Sequence, residues 1–340
     1  MKKIYITYIG LLAIILAGCS TADDVDSDMV HVEAIEMKGF EAVIESGTSQ
    51  ASTRGTVTTL GDYVGRNAFV ENDRVVFTTI KRTANPIETF TYSDISFNHV
   101  GSQWNKVGDT NLYWSDATSD HTFIGYSLPQ VTSDTFDWIK PDGQTYYIGT
   151  IGDGGAGEAV DYSTLADLAN EDMLITYSTD KTAQACGATP SLSFHHALSN
   201  VRVVVKINSL PSGKTATVSD MYLLHQPTKY VWKQTSWAAE PVTTETEQVR
   251  KKIKLIPAAS NTGATHTFYG ITIPQSSEYL SNDTYAPGTN KNAELTFKVT
   301  YTTTTPASST EKTYTASQAN AVFEPGYNTT INISITAPTN

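Results

Sequence analysis

Two cysteines, seven histidines and 35 carboxylates are the groups in this 340-residue chain from which catalysis or ligation could be built. Cys19 has the most specific surroundings. Leu16-Ala17-Gly18 stand directly before it, at the end of an apolar run from Ile4 to Ala17 that follows Lys2 and Lys3. That run is shorter than the ~20 residues a bilayer span needs, so residues 1–18 read as a secretory signal. Small residues at a cleavage point, followed by a thiolate nucleophile, make a lipobox. The Cys19 sulfur takes a diacylglyceryl group, and cutting after Gly18 leaves Cys19 as a lipidated N-terminus. Each buried CH₂ adds ~0.8 kcal/mol, so more than one acyl chain gives stable anchoring. Cys186 is then the remaining thiol, and it reads as a packed, unreactive side chain.

The other candidate groups do not assemble into a motif. His31, His99, His121, His195, His196, His225 and His266 include no HExxH pair. His195-His196 is the one cluster, and neighbouring side chains on a strand point to opposite faces. The pair therefore reads as one core and one surface histidine. There is no GxSxG elbow, and Gly152 to Gly157 lacks the Lys-Ser/Thr of a phosphate loop. No catalytic residue, metal or cofactor is expected. A formal charge of −12 excludes nucleic acid as a partner, since counterion release needs a basic face. The basic run Arg250 to Lys254 reads as a charged, edge-protecting strand. Trp104, Trp114, Trp138, Trp232 and Trp237 leave two uses open: core pairs if buried, or a glycan-stacking surface if exposed.

The elements that would position these groups are strands. Threonine supplies about one residue in seven, and Thr, Tyr and Val suit pleated surfaces. Val201, Val203, Val205 and Ile207 alternate with polar or exposed positions, as do Leu295, Phe297, Val299 and Tyr301, and Ile331, Ile333 and Ile335. Each set is the core face of a half-buried strand. Pro211-Ser212-Gly213, Asn282-Asp283 and Pro287-Gly288 mark turns, and the Thr-rich patch 302–310 reads as a hairpin loop. Thr164 and Asp167 have capping-box spacing for one short helix near 164–170. Many short strands in a chain of this length predict an all-β protein with two tandem sandwiches. The expected division is a signal at 1–18, an acidic tether and strand at 19–54, and domains at 55–185 and 186–340.

An ordered set of landmarks runs along the chain. Thr53-Arg54 is followed by Phe69-Val70-Glu71-Asn72-Asp73-Arg74-Val75, then Leu112-Tyr113-Trp114 and Tyr126-Ser127-Leu128-Pro129. Asp172-Met173-Leu174, Phe194-His195-His196-Ala197-Leu198-Ser199, Ile273-Pro274-Gln275 and Phe323-Glu324-Pro325-Gly326-Tyr327 complete it. With the lipobox in front, the chain resembles the fimbrillin family, the Mfa-like, type V pilin-like lipoproteins of Bacteroidetes. The resemblance implies two transthyretin-like β-sandwiches on an outer-membrane lipoprotein, with other pilin subunits and an adhesion receptor as partners. It also implies cleavage between Arg54 and Gly55 by an Arg-specific protease, removal of an N-terminal strand, and polymerisation by donor-strand exchange.

The residues are compatible with that scheme. Arg54 sits in a Ser/Thr/Gly-rich stretch open to a trypsin-like enzyme. Val32, Ala34, Phe40, Ala42 and Ile44 provide the apolar side chains of a groove-filling strand upstream of it. Ile331, Ile333 and Ile335 have the alternation of a donor strand, and equally that of a strand completing its own sheet. Little sequence follows that strand, so a tip or accessory subunit, or an unpolymerised surface lipoprotein, belongs to the same expectation.

Overall fold

Period-two patterning is answered by strands along the whole described chain. The computed structural model describes residues 35–338 apart from 45–56, 59–65, 67, 83–90, 129–137, 140–145, 153–158, 234–238, 242–249, 260, 262, 275–291, 305, 320, 322, 324 and 327. These residues belong to one unit, Ala34–Asn340. Cys19, Val32, Ala34, Arg54 and Gly55 lie outside the described residues.

In chain order the elements begin β1 (Glu41–Ile44), β2 (Val57–Thr58), β3 (Arg74–Arg82), β4 (Thr91–Tyr92), β5 (Ile95–Val100), β6 (Gln103–Lys106) and β7 (His121–Leu128). Next come β8 (Trp138–Ile139), β9 (Tyr146–Thr150), β10 (Ala159–Val160), helix α1 (Leu165–Glu171), β11 (Leu174–Lys181) and the one-turn helix α2 (Ala183–Cys186). The chain continues through β12 (Ser191–His196), β13 (Ser199–Asn208), β14 (Lys214–Pro227), β15 (Lys229–Lys233), β16 (Ala239–Pro241) and β17 (Arg250–Lys254). It closes with β18 (Ile256–Pro257), β19 (Thr265–Thr272), β20 (Asn292–Thr304), β21 (Ala307–Ala319) and β22 (Asn328–Thr336).

The fold is all-β. One sheet has the order β1-β12-β11-β7-β3-β5-β6, with β4 beside β3. Its inner face holds Val75, Phe77, Phe97, Trp114, Phe123 and Phe194. Two five-stranded sheets, β10-β17-β14-β20-β21 and β18-β19-β13-β22-β2, share a second core. The alternating valines of β13 meet Leu295, Phe297 and Val299 of β20 there, each 0–1% exposed. A third core draws Ile175, Ile253, Ile271 and Tyr230 from all four sheets against Leu168 of α1. The fourth sheet is β16-β15-β9-β8.

Strand pairing crosses the expected junction at residues 185/186. β12 joins β11 and β1, β9 pairs with β15, β10 with β17, and β2 with β22.

Four local readings meet their structural counterparts. Helix α1 starts where the capping box places it: Thr164 Oγ1 accepts from the Asp167 N–H at 3.2 Å, and Asp167 Oδ2 accepts from the Thr164 N–H at 2.8 Å. The Pro211-Ser212-Gly213 turn joins β13 to β14 and closes at Gly213, whose φ of +77° suits glycine. The Thr-rich patch, by contrast, is strand rather than loop. β20 and β21 stay in register from Tyr301↔Thr310 to Thr304↔Ala307, because Thr and Ser pair well across strands. The basic stretch β17 lies between β10 and β14 instead of at an edge, with Lys251 buried at 5%.

Candidate functional site

The segment ahead of Arg54 is built into the first core. Met37 and Phe40 are each 5% exposed, and Ala42 and Ile44 pack against the same cluster. Phe40 stacks on Trp104 with centroids 5.0 Å apart and planes 18° apart, and meets Phe77 and Phe97 edge-on at 5.0 Å. The backbone is tied as well. Met37 N–H donates to Leu112 O, Lys38 N–H to Ala188 O and Glu41 N–H to Pro190 O, at 2.8–2.9 Å. β1 then runs parallel to β12, from Glu41↔Ser191 to Ile44↔Phe194. Parallel pairing is available because more than a hundred residues separate the two strands.

β1 and β6 are the two ends of this sheet, and the Phe40–Trp104 stack brings them together. The sheet therefore curls until its edges meet. Gly39 lies at that seam, where a Cβ would sit 3.2 Å from the Trp104 carbonyl oxygen. A polar cleft follows the seam, with Lys38 and Glu41 on one side and Gln103 and Asn105 on the other.

The last strand is held differently. β22 runs parallel to β13 from Asn200↔Asn328 to Asn208↔Thr336. Ile331 and Ile333 are 1% and 9% exposed in the second core, and Ile335 packs against it. In this arrangement β22 completes its own sheet. On its other side β2 covers only Asn328 and Thr329.

A buried ionic network lies at one end of the first sheet. The Arg66 guanidinium donates to Asp73 Oδ2 at 2.8 Å, and to Ser127 O and Oγ at 3.1 Å. Its backbone N–H donates to Asp172 Oδ2 at 2.7 Å, and the same oxygen meets His196 Nδ1 at 2.8 Å. Arg66, Asp73, Ser127, Asp172 and His196 are all no more than 6% exposed. Ser127 Oγ in turn donates to Arg74 O at 2.8 Å. The pairing satisfies charges whose burial would otherwise be costly. His196 is thus the core member of the His195-His196 pair, and His195 is half-buried.

His121 is a second buried polar point. Its Nδ1 donates to Ser119 O at 2.8 Å, so Nε2 accepts from the Ser115 N–H at 3.1 Å. Burial pushes the ring below its ordinary pKa, against the raising effect of the Ser119 carbonyl. No cluster of His, Cys and carboxylate groups among the described residues is placed to hold a metal ion. No described helix is long and apolar enough to cross a membrane.

A family model described as fimbrillin-like matches residues 53–340. The chain belongs to the fimbrillin-like family. Among solved structures, this fimbrillin-like chain is similar to a candidate cell adhesion protein from Bacteroides ovatus. The identity is 15%, the match covers 90% of this chain and 93% of that one, and the TM-score is 0.50. A candidate cell adhesion protein from Bacteroides uniformis matches at 14% identity, with 89% and 94% covered and a TM-score of 0.45. A fimbrial protein from Bacteroides ovatus matches at 12% identity, with 88% and 50% covered and a TM-score of 0.41. At such identities only the fold is shared, and only the first likeness carries it. No curated protein matches the chain.

The fimbrillin-like landmarks have structural duties. Asp73, Ser127, Asp172 and His196 are members of the ionic network, which explains four of the landmark segments at once. Trp114 N–H donates to Ile35 O at 2.9 Å and its indole Nε1 to Gly187 O at 3.0 Å, so it docks the N-terminal segment. Gly326 N–H donates to Leu198 O at 2.8 Å. Trp104 and Trp114, 7% and 2% exposed, are core residues. Trp237 lies outside the described residues. The register sets Trp138, Tyr147 and Trp232 side by side on β8, β9 and β15. Arg66 had no signal in the sequence: Asp73 is seven residues away, at no motif spacing, and Ser127 and Asp172 are 61 and 106 residues away. Cys186 packs against the first core.

Proposed function

We propose that the chain is a fimbrial subunit or fimbria-associated surface lipoprotein whose N-terminal segment is a removable plug. Lipidation at Cys19 anchors it to the outer membrane, cleavage between Arg54 and Gly55 severs the covalent link to residues 19–54, and the seam, once that segment has left, takes a strand from another subunit. One observation carries this reading: Met37, Phe40, Ala42 and Ile44 supply core side chains from upstream of Arg54. Family membership over residues 53–340 supports it, because that span begins beside the proposed cut and leaves the plug outside. Membership of the fimbrillin-like family supports a cell-surface place and a structural or adhesive, non-enzymatic role. An incoming strand would satisfy the edge groups of β12 and fill the pockets of Phe40 and Met37, which is β-augmentation with side-chain specificity. Such contacts are head-to-tail and generate filaments.

The two-domain division, with boundaries at 55–185 and 186–340, stays part of this proposal. The donor is Ile331, Ile333 and Ile335 of β22 only if that strand leaves β13, which would expose its own core. A stalk subunit must therefore exchange β22, while a tip or accessory subunit keeps it. Cleavage by an Arg-specific protease followed by unboiled SDS electrophoresis tests the polymerising form. A ladder of oligomers is expected from purified cut protein. A cut chain that has lost residues 35–44 and stays monomeric rules out the stalk role.

A second reading assigns glycan stacking to Trp138, Tyr147 and Trp232, which the backbone register pairs across β8, β9 and β15. Glycan-array binding that disappears in Trp138→Ala and Trp232→Ala, with an unchanged melting temperature, would favour it.

A further inference from the structure

We infer that the Arg66–Asp73–Ser127 network is a cleavage mask that withholds Arg66 from arginine-directed processing. The inference rests on the processing reading above and adds the reason why the next arginine is spared. Arg66 is only twelve positions beyond Arg54, in a chain that carries six arginines in all. An arginine-specific endopeptidase must draw the guanidinium into a pocket that offers a carboxylate as fork-like partner. At Arg66 that partnership is already made inside the protein. Nη2 holds Asp73 at 2.8 Å, Nη1 holds Ser127 O and Oγ at 3.1 Å, and the guanidinium lies 5.2 Å from the centre of the Phe69 ring. The main chain is fixed too, since the Arg66 N–H donates to the buried Asp172 carboxylate. Side-chain exposure is 5% for Arg66 and 2% for Asp73. Hydrolysis of the Arg66–Asn67 bond, with water giving OH to the Arg66 carbonyl carbon and H to the Asn67 nitrogen, first requires all of these contacts to open.

The position of the cut matters to the fold. β2 lies between the two arginines and pairs Val57 with Thr329 and Thr58 with Asn328. Hydrolysis after Arg54 keeps β2 on the body of the protein. Hydrolysis after Arg66 would detach it and uncover the outer side of β22 at its start.

The test is timed digestion of the mature full-length chain with clostripain, which cuts after arginine, with new N-termini identified by mass spectrometry. Wild type is expected to give Gly55 and no Asn67. Asp73→Asn removes the charged acceptor and Ser127→Ala removes Oγ while keeping the Ser127 carbonyl, and Asn67 should then appear at least about tenfold above the wild-type detection limit. Cutting after Arg74 and Arg202, both inside paired strands, reports a variant that has unfolded globally; Ser127→Ala then serves as the milder variant. Wild type yielding Asn67 as fast as Gly55 overturns the mask, as does a folded Asp73→Asn chain that never yields Asn67. A chain that resists cleavage after Arg54 but shows the variant-dependent Asn67 end keeps the mask and sinks the processing reading.

Discussion

The charge state of single buried side chains sets how this protein responds to acid. His121 donates from Nδ1 to a carbonyl and accepts at Nε2 from a backbone N–H. A second proton would have to enter at Nε2, where it would confront that N–H. Burial lowers the ring's pKa below 6.5, and burial lowers that of His266 likewise. In the unfolded chain both rings protonate near 6.5, so the unfolded state binds more protons below that value. Their contribution to stability is therefore whole above about pH 6.5 and declines as the pH falls toward the folded-state values. The urea midpoint should drop between pH 7 and pH 5, and an NMR titration should place the His121 midpoint below 6.5. A His121 ring that titrates at its ordinary value would contradict this. Little of it was legible in the sequence. His121 and Arg66 look like any loop or surface residue until Ser115, Asp73 and Ser127 are folded against them. The His195-His196 pair was legible, because strand geometry alone forces its two rings apart.

At the scale of elements, the N-terminal plug is an edge strand whose hold depends on one ring and one glycine. Phe40 fills the space between Trp104, Phe77 and Phe97. Replacing it by alanine should cost about 3 kcal/mol, in the range for buried aromatic truncation. The loss should also be local, with amide exchange of Met37, Lys38 and Glu41 accelerating more than that of β13. Exchange mass spectrometry of a peptide spanning 35–44 checks it, and uniform acceleration throughout the chain would deny the plug its separate status. Gly39→Val should act at the same place. Its side chain would press on the Trp104 carbonyl, which belongs to a strand and cannot retreat cheaply. The apolar spacing of Phe40, Ala42 and Ile44 announced a strand. Its parallel alignment with β12 was not announced, because register between segments 150 residues apart leaves no local trace.

For the whole molecule, the alternation of β13, β20 and β22 made the all-β class and the second core readable, since burial of one strand face is written directly in period two. The interlocking was not readable. Short strands such as β2 and β10 are two residues long, too brief for any pattern, yet they pair across the middle of the chain. This pairing predicts cooperative behaviour. Chemical denaturation of the cut and uncut protein should each show a single transition by tryptophan fluorescence and by circular dichroism. Two separated transitions would mean that the proposed domains, 55–185 and 186–340, unfold independently despite this pairing.

The parallel β1–β12 pairing has a further consequence for what a protease can achieve. Hydrolysis after Arg54 severs a covalent link but breaks none of the bonds from Met37, Lys38 or Glu41. The cut segment becomes a bound ligand, with a dissociation constant of its own. Before the cut its effective concentration is that of a tethered peptide, on the order of millimolar; afterwards it is only the bulk concentration. Dilution, rather than cleavage, would then empty the seam, and an incoming strand would compete by mass action for a site still occupied. Dilute cut protein should lose residues 19–54 on gel filtration and regain them when the peptide is added back. The timing of assembly would thus be set by an off-rate, and the protease would only start the clock.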